Sequence, residues 1–306
     1  MSRSAEIAQL ASDSVVAAAT KLDVVDVSGR DAASYLHGQL SQNVESLAVG
    51  ETRWTLLLQP QGKVEAWMRI HRLEPERFLL LVDEGFGLAV EARLERFKLR
   101  VEAEIRTSTR PVLALRGPDS GLVVDGLDLE SSTITVSADW GGAGVDLIPA
   151  AGSEVEIQPP AGVVSLTADE FEMIRISRGQ PAMGAELDES TIPAAAGVVD
   201  DSVDFTKGCY VGQELVARID SRGNNTPTRL VRLDVSAPSS DVQPGAELMS
   251  MGGSVGTVTS VASAPGQKEH AVGLGYIKRG TDVPGEVELG LDDGRTVRVA
   301  LRPLRD

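Results

Sequence analysis

Cysteine and histidine are scarce in this sequence of 306 residues, which contains one cysteine, Cys209, and three histidines. A single cysteine cannot form a disulfide within the chain, which favours a reducing, cytoplasmic compartment. It also cannot hold an iron–sulfur cluster alone, because such a cluster normally takes four protein ligands. The histidines lie far apart in sequence, at positions 37, 71 and 270, so an autonomous zinc site is not expected. We therefore expect no stable metal in the isolated chain.

Long apolar runs and an excess of basic residues are also absent. No apolar run approaches the roughly 18–20 residues that a membrane-spanning helix requires, so no membrane association is expected. Aspartate and glutamate number 45 against 29 lysines and arginines, and the net charge is −16. Because proteins bind phosphate backbones with clustered lysine and arginine, direct binding of nucleic acid is not expected.

The spacing of apolar residues predicts an α+β body followed by a small β-barrel. Helical spacing predicts helices over residues 4–20, 32–40, 87–99 and 168–179. Alternating residues predict a strand at residues 23–29 and a β-hairpin at residues 53–73, with its turn at residues 60–63. The segment at residues 220–228 is rich in turn-forming residues, which predicts a linker. The short alternating runs beyond it, separated by glycine, proline and aspartate turns, are typical of an antiparallel barrel.

The same pattern divides the chain into three parts. Residues 1–110 and 111–222 are expected to form two packed α+β subdomains, of which the second carries the cysteine. Residues 223–306 are expected to form the C-terminal antiparallel β-barrel.

Cys209 lies in the segment KGCYVGQE, residues 207–214, just ahead of a predicted helix. Unpaired N–H groups at a helix N-terminus, together with Lys207, are expected to lower the pKa of the thiol. Gly208 permits a positive φ or the close approach of another molecule. The residues alone leave two interpretations open, a working thiol and a buried packing residue. The other candidate residues of this segment are Tyr210, Gly212, Gln213 and Glu214.

The segment KGCYVGQE resembles the K-G-C-Y/F-x-G-Q-E signature of the YgfZ family. These are folate-binding proteins related to the T-protein of the glycine cleavage system (GcvT, an aminomethyltransferase). Four further segments are similar to motifs of these families. They cover residues 29–44, 59–64, 174–193 and 273–280.

The resemblance implies a T-protein-like fold in which two α+β subdomains and a β-barrel surround a cleft that holds tetrahydrofolate or a derivative. It also implies support of iron–sulfur enzymes in the cell, including enzymes of tRNA modification. The motif cysteine is the residue most closely tied to that role.

Two departures from GcvT bear on the chemistry. GcvT has a pair of aspartates in the first hairpin, one of which takes part in aminomethyl transfer, and Ala66 and Trp67 stand at these positions. Neither side chain can accept a proton. Glu65 is adjacent, but we do not expect it to replace them, so an active aminomethyltransferase is not expected.

The second departure concerns folate. The R-I/L-E-A-G motif of the family supplies a glutamate to the pterin ring, and Ser177 stands at that position. A serine cannot bind two pterin N–H groups as a carboxylate does. Either folate binding has been lost, or Glu186, Asp188 or a bridging water takes the place of the glutamate. The other candidate folate contacts are Arg175, Trp67 and Tyr35.

Two hypotheses follow. The first is a YgfZ-like folate-binding accessory protein that supports iron–sulfur cluster assembly or repair. Its partners would be iron–sulfur assembly or client proteins, and Cys209, activated by Lys207, would act as a redox thiol or as one ligand of a shared cluster. The alternative is a folate-dependent aminomethyltransferase of the glycine cleavage type.

Overall fold

The computed structural model describes residues 11–140, 142–153, 157–263, 269–291 and 293–305. Its strands fall into one open sheet and one closed barrel, connected by short helices. The predicted α+β class with a C-terminal antiparallel barrel is confirmed. None of the helices within these ranges is long and apolar enough to cross a membrane.

The open sheet curves into a half-barrel with β1 at its centre. Its order is β2-β3-β4-β1-β5-β7-β6, and β8 pairs with the start of β1. β1 is antiparallel to β4 on one side and to β5 on the other. The strands are β1 Val16–Ser28, β2 Thr52–Leu58, β3 Val64–Glu74, β4 Arg77–Asp83, β5 Glu104–Arg116, β6 Ile134–Ser137, β7 Gly144–Ile148 and β8 Val164–Ser165.

Helices cover this sheet and connect it to the barrel. α4 begins at a capping box, in which Thr167 and Glu170 satisfy each other's backbone N–H groups, and it packs against β11 and β12 of the barrel. The helices are α1 Ala32–Gln39, α2 Gly87–Phe97, α3 Ser120–Asp125, α4 Ala168–Ser177, α5 Val199–Ser202 and α6 Gln213–Asp220, with short 3-10 helices at Pro193–Ala196 and Ser239–Asp241.

Six strands form the closed barrel, in the order β10-β11-β12-β9-β14-β13. Its interior is an apolar cluster that includes Val231, Leu233, Leu248 and Val299. Closure leaves no unpaired sheet edge. The strands are β9 Thr228–Val235, β10 Glu247–Ser250, β11 Gly253–Ala262, β12 Ala271–Lys278, β13 Gly285–Gly290 and β14 Thr296–Arg302.

The helix predicted over residues 4–20 is wrong in its second half. Residues 11–13 are helical, but β1 begins at Val16, and residues 1–10 lie outside the described ranges. Val16, Ala17 and Ala18 are all buried because this central strand is covered on both faces. Such a strand shows a continuous apolar run, which periodicity alone does not distinguish from a helix.

The strand predicted at residues 23–29 is the second half of β1, and the remaining predicted elements appear close to their expected bounds. β10 was not predicted, since it is short and irregularly paired. The linker predicted at residues 220–228 corresponds to the turns between α6 and β9. β5 passes through residues 110 and 111 without interruption, so both sides of that predicted boundary belong to one sheet. The three-part division of the chain stays a prediction.

Candidate functional site

The loop of Cys209 packs against the turn of the β2–β3 hairpin. Gly212 has a φ of +82°, and a Cβ there would lie 2.5 Å from the carbonyl oxygen of Gln59. Gly62, in the hairpin turn, has a φ of +78°, and its Cβ would lie 2.8 Å from the carbonyl oxygen of Gly212. Only glycine fits both positions. Gly212 of the motif and Gly62 of the hairpin turn are distant in sequence, but their backbones are in direct contact in the fold.

Lys207 fixes the other side of this loop. Its ammonium group donates hydrogen bonds to the carbonyl oxygens of His37, Leu40 (2.5 Å) and Gln42 (3.2 Å), at the C-terminal end of α1. Burial lowers the pKa of Lys207 to about 8, although Asp204 and Glu45 oppose this shift. Because these bonds go to backbone carbonyls, Lys207 positions the loop. Its expected part in activating the thiol stays a prediction.

Within the loop the remaining motif residues have distinct environments. The side-chain oxygen of Gln213 accepts a hydrogen bond from the Tyr210 N–H at 3.1 Å, which closes the segment between them. Tyr210 packs on the main apolar core, and burial raises the pKa of its hydroxyl to about 12. Glu214 is exposed in the first turn of α6. The motif thus builds a rigid loop around the thiol.

Cys209 itself is exposed. α6 begins at Gln213, four residues later, with Gly212 as its N-cap, so the thiol lies just before the helix rather than at its N-terminus. Gly208 does not have a positive φ, and the nearest atom to a Cβ built there is Nε2 of His37, at 3.7 Å. Of the two roles expected for Gly208, the positive φ is therefore wrong, and the close approach of another molecule stays a prediction.

His37 is a site residue that the sequence reasoning missed. It comes from α1, and its buried Nδ1 has no hydrogen-bond partner among the described residues. Burial lowers the pKa of the imidazole, and the neighbouring ammonium of Lys207 lowers it further. The similarity of residues 29–44 to a family motif was the only signal that α1 lies near the cysteine. No group of three or more His, Cys, Asp or Glu side chains in the described ranges is suited to hold a metal ion.

A second candidate site is a cavity of about 200 Å³ between the inner face of the half-barrel and α4, here called the aromatic cavity. Trp54 and Trp67 stack along one wall with ring centroids 4.0 Å apart and planes 13° from parallel. Trp140 and Phe171 form another wall, with centroids 4.9 Å apart. Flat faces of this kind suit a planar ring.

Buried charges line the aromatic cavity. Asp146 accepts hydrogen bonds from Arg69 at 2.6 Å and from Arg116 at 2.7 Å, and all three side chains are almost fully buried. The Arg116 guanidinium lies 4.2 Å from the centroid of the Trp140 ring. Burial alone would raise the pKa of Asp146, but the two arginines hold it below its usual range.

Asp83 is the carboxyl group of this cavity with the fewest partners. It lies at the end of β4, and its Oδ2 accepts a hydrogen bond from the Met183 N–H at 2.8 Å. Burial raises the pKa of Asp83, and the charges of Arg175 and Arg69 counter only part of that rise. No described residue donates a second hydrogen bond to it. The sequence reasoning missed this residue because nothing in the strand pattern marks it.

The predicted folate contacts do not lie together. Trp67 and Arg175 line the aromatic cavity. Ser177, the last residue of α4, lines a different cavity together with Arg178 and Arg232. Tyr35 is buried, donates its hydroxyl hydrogen to the Leu94 carbonyl at 2.5 Å, and does not line the aromatic cavity.

The carboxylates suggested as replacements for the family glutamate are used elsewhere. Glu186 accepts hydrogen bonds from Arg175 at 3.0 Å and from the hydroxyls of Thr259 and Ser260, which joins α4 to the barrel. Asp188 accepts hydrogen bonds from Ser190 and Thr191 within its own turn.

Ala66 and Trp67, which stand at the positions of the two GcvT aspartates, have different surroundings. Ala66 is fully buried in the main core, whereas the Trp67 indole lines the aromatic cavity and donates to the Ser202 hydroxyl at 2.8 Å. Glu65 lies 4.0 Å from Arg93 of α2 and does not line the cavity. Residues 65–67 of β3 therefore supply no carboxylate to the aromatic cavity.

Comparison with known proteins agrees with this architecture. The GCVT N-terminal domain family matches residues 2–135. The crystal structure of glycine cleavage system aminomethyltransferase T from Bartonella henselae superposes with a TM-score of 0.80 at 19% identity, covering 98% of this chain and 88% of that one. Residues 2–135 therefore resemble the GCVT N-terminal domain, and the chain as a whole has the fold of a glycine cleavage system aminomethyltransferase.

Three curated relatives carry different names. An uncharacterized protein from Haemophilus influenzae is 28% identical over 213 residues, 67% of this chain and 69% of the relative. An aminomethyltransferase from Streptomyces avermitilis is 24% identical over 296 residues, 88% and 79% of the two chains. A mitochondrial homologue of the iron–sulfur cluster assembly factor IBA57 from Pyricularia oryzae is 27% identical over 226 residues, 65% of this chain. This chain spans 52% of that homologue's length.

Proposed function

We propose that this GcvT-related protein is a folate-binding accessory protein that supports iron–sulfur cluster assembly or repair. Its similarity to the IBA57 homologue supports the cellular role. The observation that carries the proposal is the exposed thiol of Cys209 on a loop that Lys207, Gly212 and Gln213 hold rigid. A packing cysteine would be buried, so this exposure favours the working thiol.

The thiol has a chemical task that suits its position. One thiolate supplies one of the ligands that a cluster requires, so a partner protein must supply the others. The cluster is then cargo shared between two proteins, with Cys209 as the contribution of this chain. A rigid loop lowers the ordering cost of that contact, because the thiol is already in place. The clients would include iron–sulfur enzymes that modify tRNA.

Replacing Cys209 by serine is expected to lower the activity of an iron–sulfur dehydratase several-fold in cells that depend on this protein. Serine keeps the size and exposure of the side chain but is a poor cluster ligand. The melting temperature of the variant should match that of the unchanged protein, since the thiol touches no core. Asp220→Asn, an exposed change on α6, is the control. Full dehydratase activity in the Cys209→Ser cells would contradict the proposed role of the thiol.

Folate is proposed to bind in the aromatic cavity. The stacked Trp54–Trp67 pair offers a flat apolar face, and the carboxyl group of Asp83 has a free position for an N–H donor. A carboxylate there suits the adjacent N–H groups of a pterin ring, which is the task of the family glutamate that Ser177 replaces. When bound, the folate would supply one-carbon chemistry or act as a sensed ligand. The residues of this chain would bind and orient it.

An Asp83→Asn variant is expected to bind tetrahydrofolate about 10–100-fold more weakly, because a hydrogen bond to a charged group is lost. The same variant should be more stable than the unchanged protein at neutral pH. Burial raises the pKa of Asp83 above 3.8, so the ionised carboxyl destabilises the fold as pH rises from 3.8 through the raised value. Below about pH 3.8 the two proteins should be equally stable.

Calorimetric titration with tetrahydrofolate, and thermal unfolding between pH 3.5 and 8, check the two halves of this prediction. Asp188→Asn is the matched control, because that carboxylate does not line the cavity. Unchanged affinity of the Asp83→Asn variant for tetrahydrofolate would show that residues other than Asp83 bind the pterin ring. No binding by the unchanged protein would show that the change to Ser177 marks a loss of folate binding.

Aminomethyl transfer is the alternative function, and the name of the Streptomyces relative is the observation that favours it. The indole of Trp67 at a GcvT aspartate position opposes it. Release of ammonia from an aminomethyl donor by the purified protein with tetrahydrofolate would establish the transferase and displace the accessory role.

A further inference from the structure

The inner face of the half-barrel has a second cavity, of about 580 Å³, here called the Arg110 cavity. It lies between β3, β5 and the segment leading into β6. An apolar cluster separates it from the aromatic cavity, with Leu81 facing that cavity and Leu73 and Ile134 facing this one. The two cavities are therefore distinct sites on one sheet.

Arg110 is the unusual residue of this cavity. Its side chain lies on β5 and only 6% of the residue is exposed, yet it forms no ion pair and no hydrogen bond with any described residue. Its Nη2 is sealed from solvent without a partner. Burial lowers the pKa of the guanidinium, with the charge of Asp26 opposing the shift. A buried charge without a partner is strongly unfavourable.

The other buried arginines of the described chain show what is missing. Each has a carboxylate within 4.0 Å of its guanidinium, whereas Arg110 has none. Those arginines are Arg69, Arg93, Arg116 and Arg175. Arg110 is thus the exception to a rule that this fold otherwise follows.

The remaining lining of the Arg110 cavity can donate hydrogen bonds but offers no free carboxylate. Glu74 is the acidic residue that lines it, and Glu74 and Asp26 are both paired with Arg77. His71 is buried with its Nδ1 bonded to the Thr52 hydroxyl at 2.9 Å, and burial lowers its pKa. The hydroxyl residues of the lining are Ser131, Ser132, Thr133 and Thr135.

We propose that the Arg110 cavity binds the oxyanion group, phosphate or carboxylate, of a small molecule. An oxyanion in the cavity would supply the counter-charge that the Arg110 guanidinium lacks. The neighbouring hydroxyl groups would donate to the remaining oxygens. Val49, Leu73 and Ile134 give the cavity an apolar part for the rest of the ligand. This site is independent of the proposed function in folate and iron–sulfur metabolism.

Thermal unfolding of the full chain tests the proposal with inorganic phosphate and with succinate, against chloride at equal ionic strength. At ten times its Kd, a bound oxyanion should raise the melting temperature by about 2–4 °C. An Arg110→Met variant should lose this rise. In chloride it should melt at or above the temperature of the unchanged protein, because an apolar chain replaces an unpaired buried charge. A response to phosphate alone, or to succinate alone, identifies which oxyanion the ligand carries.

Arg116→Met is the matched control, since Arg116 is equally buried but paired with Asp146. Its melting temperature should fall in every buffer. Three results would overturn the proposal: no response of the unchanged protein to either anion, an equal response in Arg110→Met, or a fall in chloride as large as that of Arg116→Met. The last result would show that Arg110 stabilises the folded protein and does not act as a ligand-binding residue.

Discussion

An Asp146→Ala variant is expected to lose about 3–5 kcal/mol of its free energy of unfolding, because the change leaves two buried arginines without a counter-charge. Asp146 bonds Arg69 through one carboxylate oxygen and Arg116 through the other. Both guanidinium groups also face aromatic rings, which cannot replace a full negative charge. A loss of this size is a large part of the stability of a typical domain.

Urea unfolding at pH 7 measures this loss, and Glu102→Ala is the control. Glu102 pairs with Arg30 on the surface, where an ion pair contributes little. The contribution of Asp146 also depends on pH. The pKa of Asp146 is held below 3.8, so its contribution is complete above pH 3.8 and disappears as pH falls through the lowered value. A loss in Asp146→Ala no larger than that in Glu102→Ala would show that solvent reaches these arginines.

A Gly212→Ala variant is expected to lose about 2–4 kcal/mol, from a left-handed backbone and from overpacking together. The added methyl group would lie 2.5 Å from the Gln59 carbonyl oxygen and 2.8 Å from the Leu58 Cβ, and neither neighbour is the free end of a flexible chain. The loop of Cys209 must then leave the hairpin. Such a variant should lose the support of iron–sulfur enzymes while keeping its thiol.

Gly208→Ala is the matched control for this prediction. Gly208 lies one residue before the cysteine, has no positive φ and has nothing within 3.7 Å of its Cβ position. Urea unfolding compares the stabilities, and the rate of thiol modification by a disulfide reagent compares the loops. Gly212→Ala should react differently from the unchanged protein, and Gly208→Ala should not. Equal stability of the two variants would mean that the contact between loop and hairpin can relax without cost.

Local signals predicted the elements of the fold well, and the exception has a physical cause. The hairpin at residues 53–73 was predicted because apolar residues alternate along β3 and because its turn contains Gly62, whose positive φ favours glycine. The second half of β1 was predicted at residues 23–29, but its first half was predicted as helix because both faces are covered at Val16–Ala18, which removes the alternation.

The site was predictable only where its residues are contiguous. The segment at residues 207–214 identified Cys209, but its anchors, Gly62 and the carbonyls at the end of α1, are distant in sequence. The role of Lys207 could not be read from its closeness to the cysteine, because its side chain extends to α1. Asp83 and Asp146 are ordinary strand carboxylates in the sequence, and only the curvature of the sheet brings them to one cavity.

The loop of Cys209 can form only after α1 and the β2–β3 hairpin have folded, because its anchors belong to those elements. Contacts between such distant segments close late, since a long stretch of chain must be ordered first. During synthesis the anchors emerge before the loop that they receive. An incompletely folded chain therefore has a thiol on a mobile segment, and a mature one has it on a fixed support. A partner that recognises the fixed loop would bind fully folded molecules and would not bind incompletely folded ones.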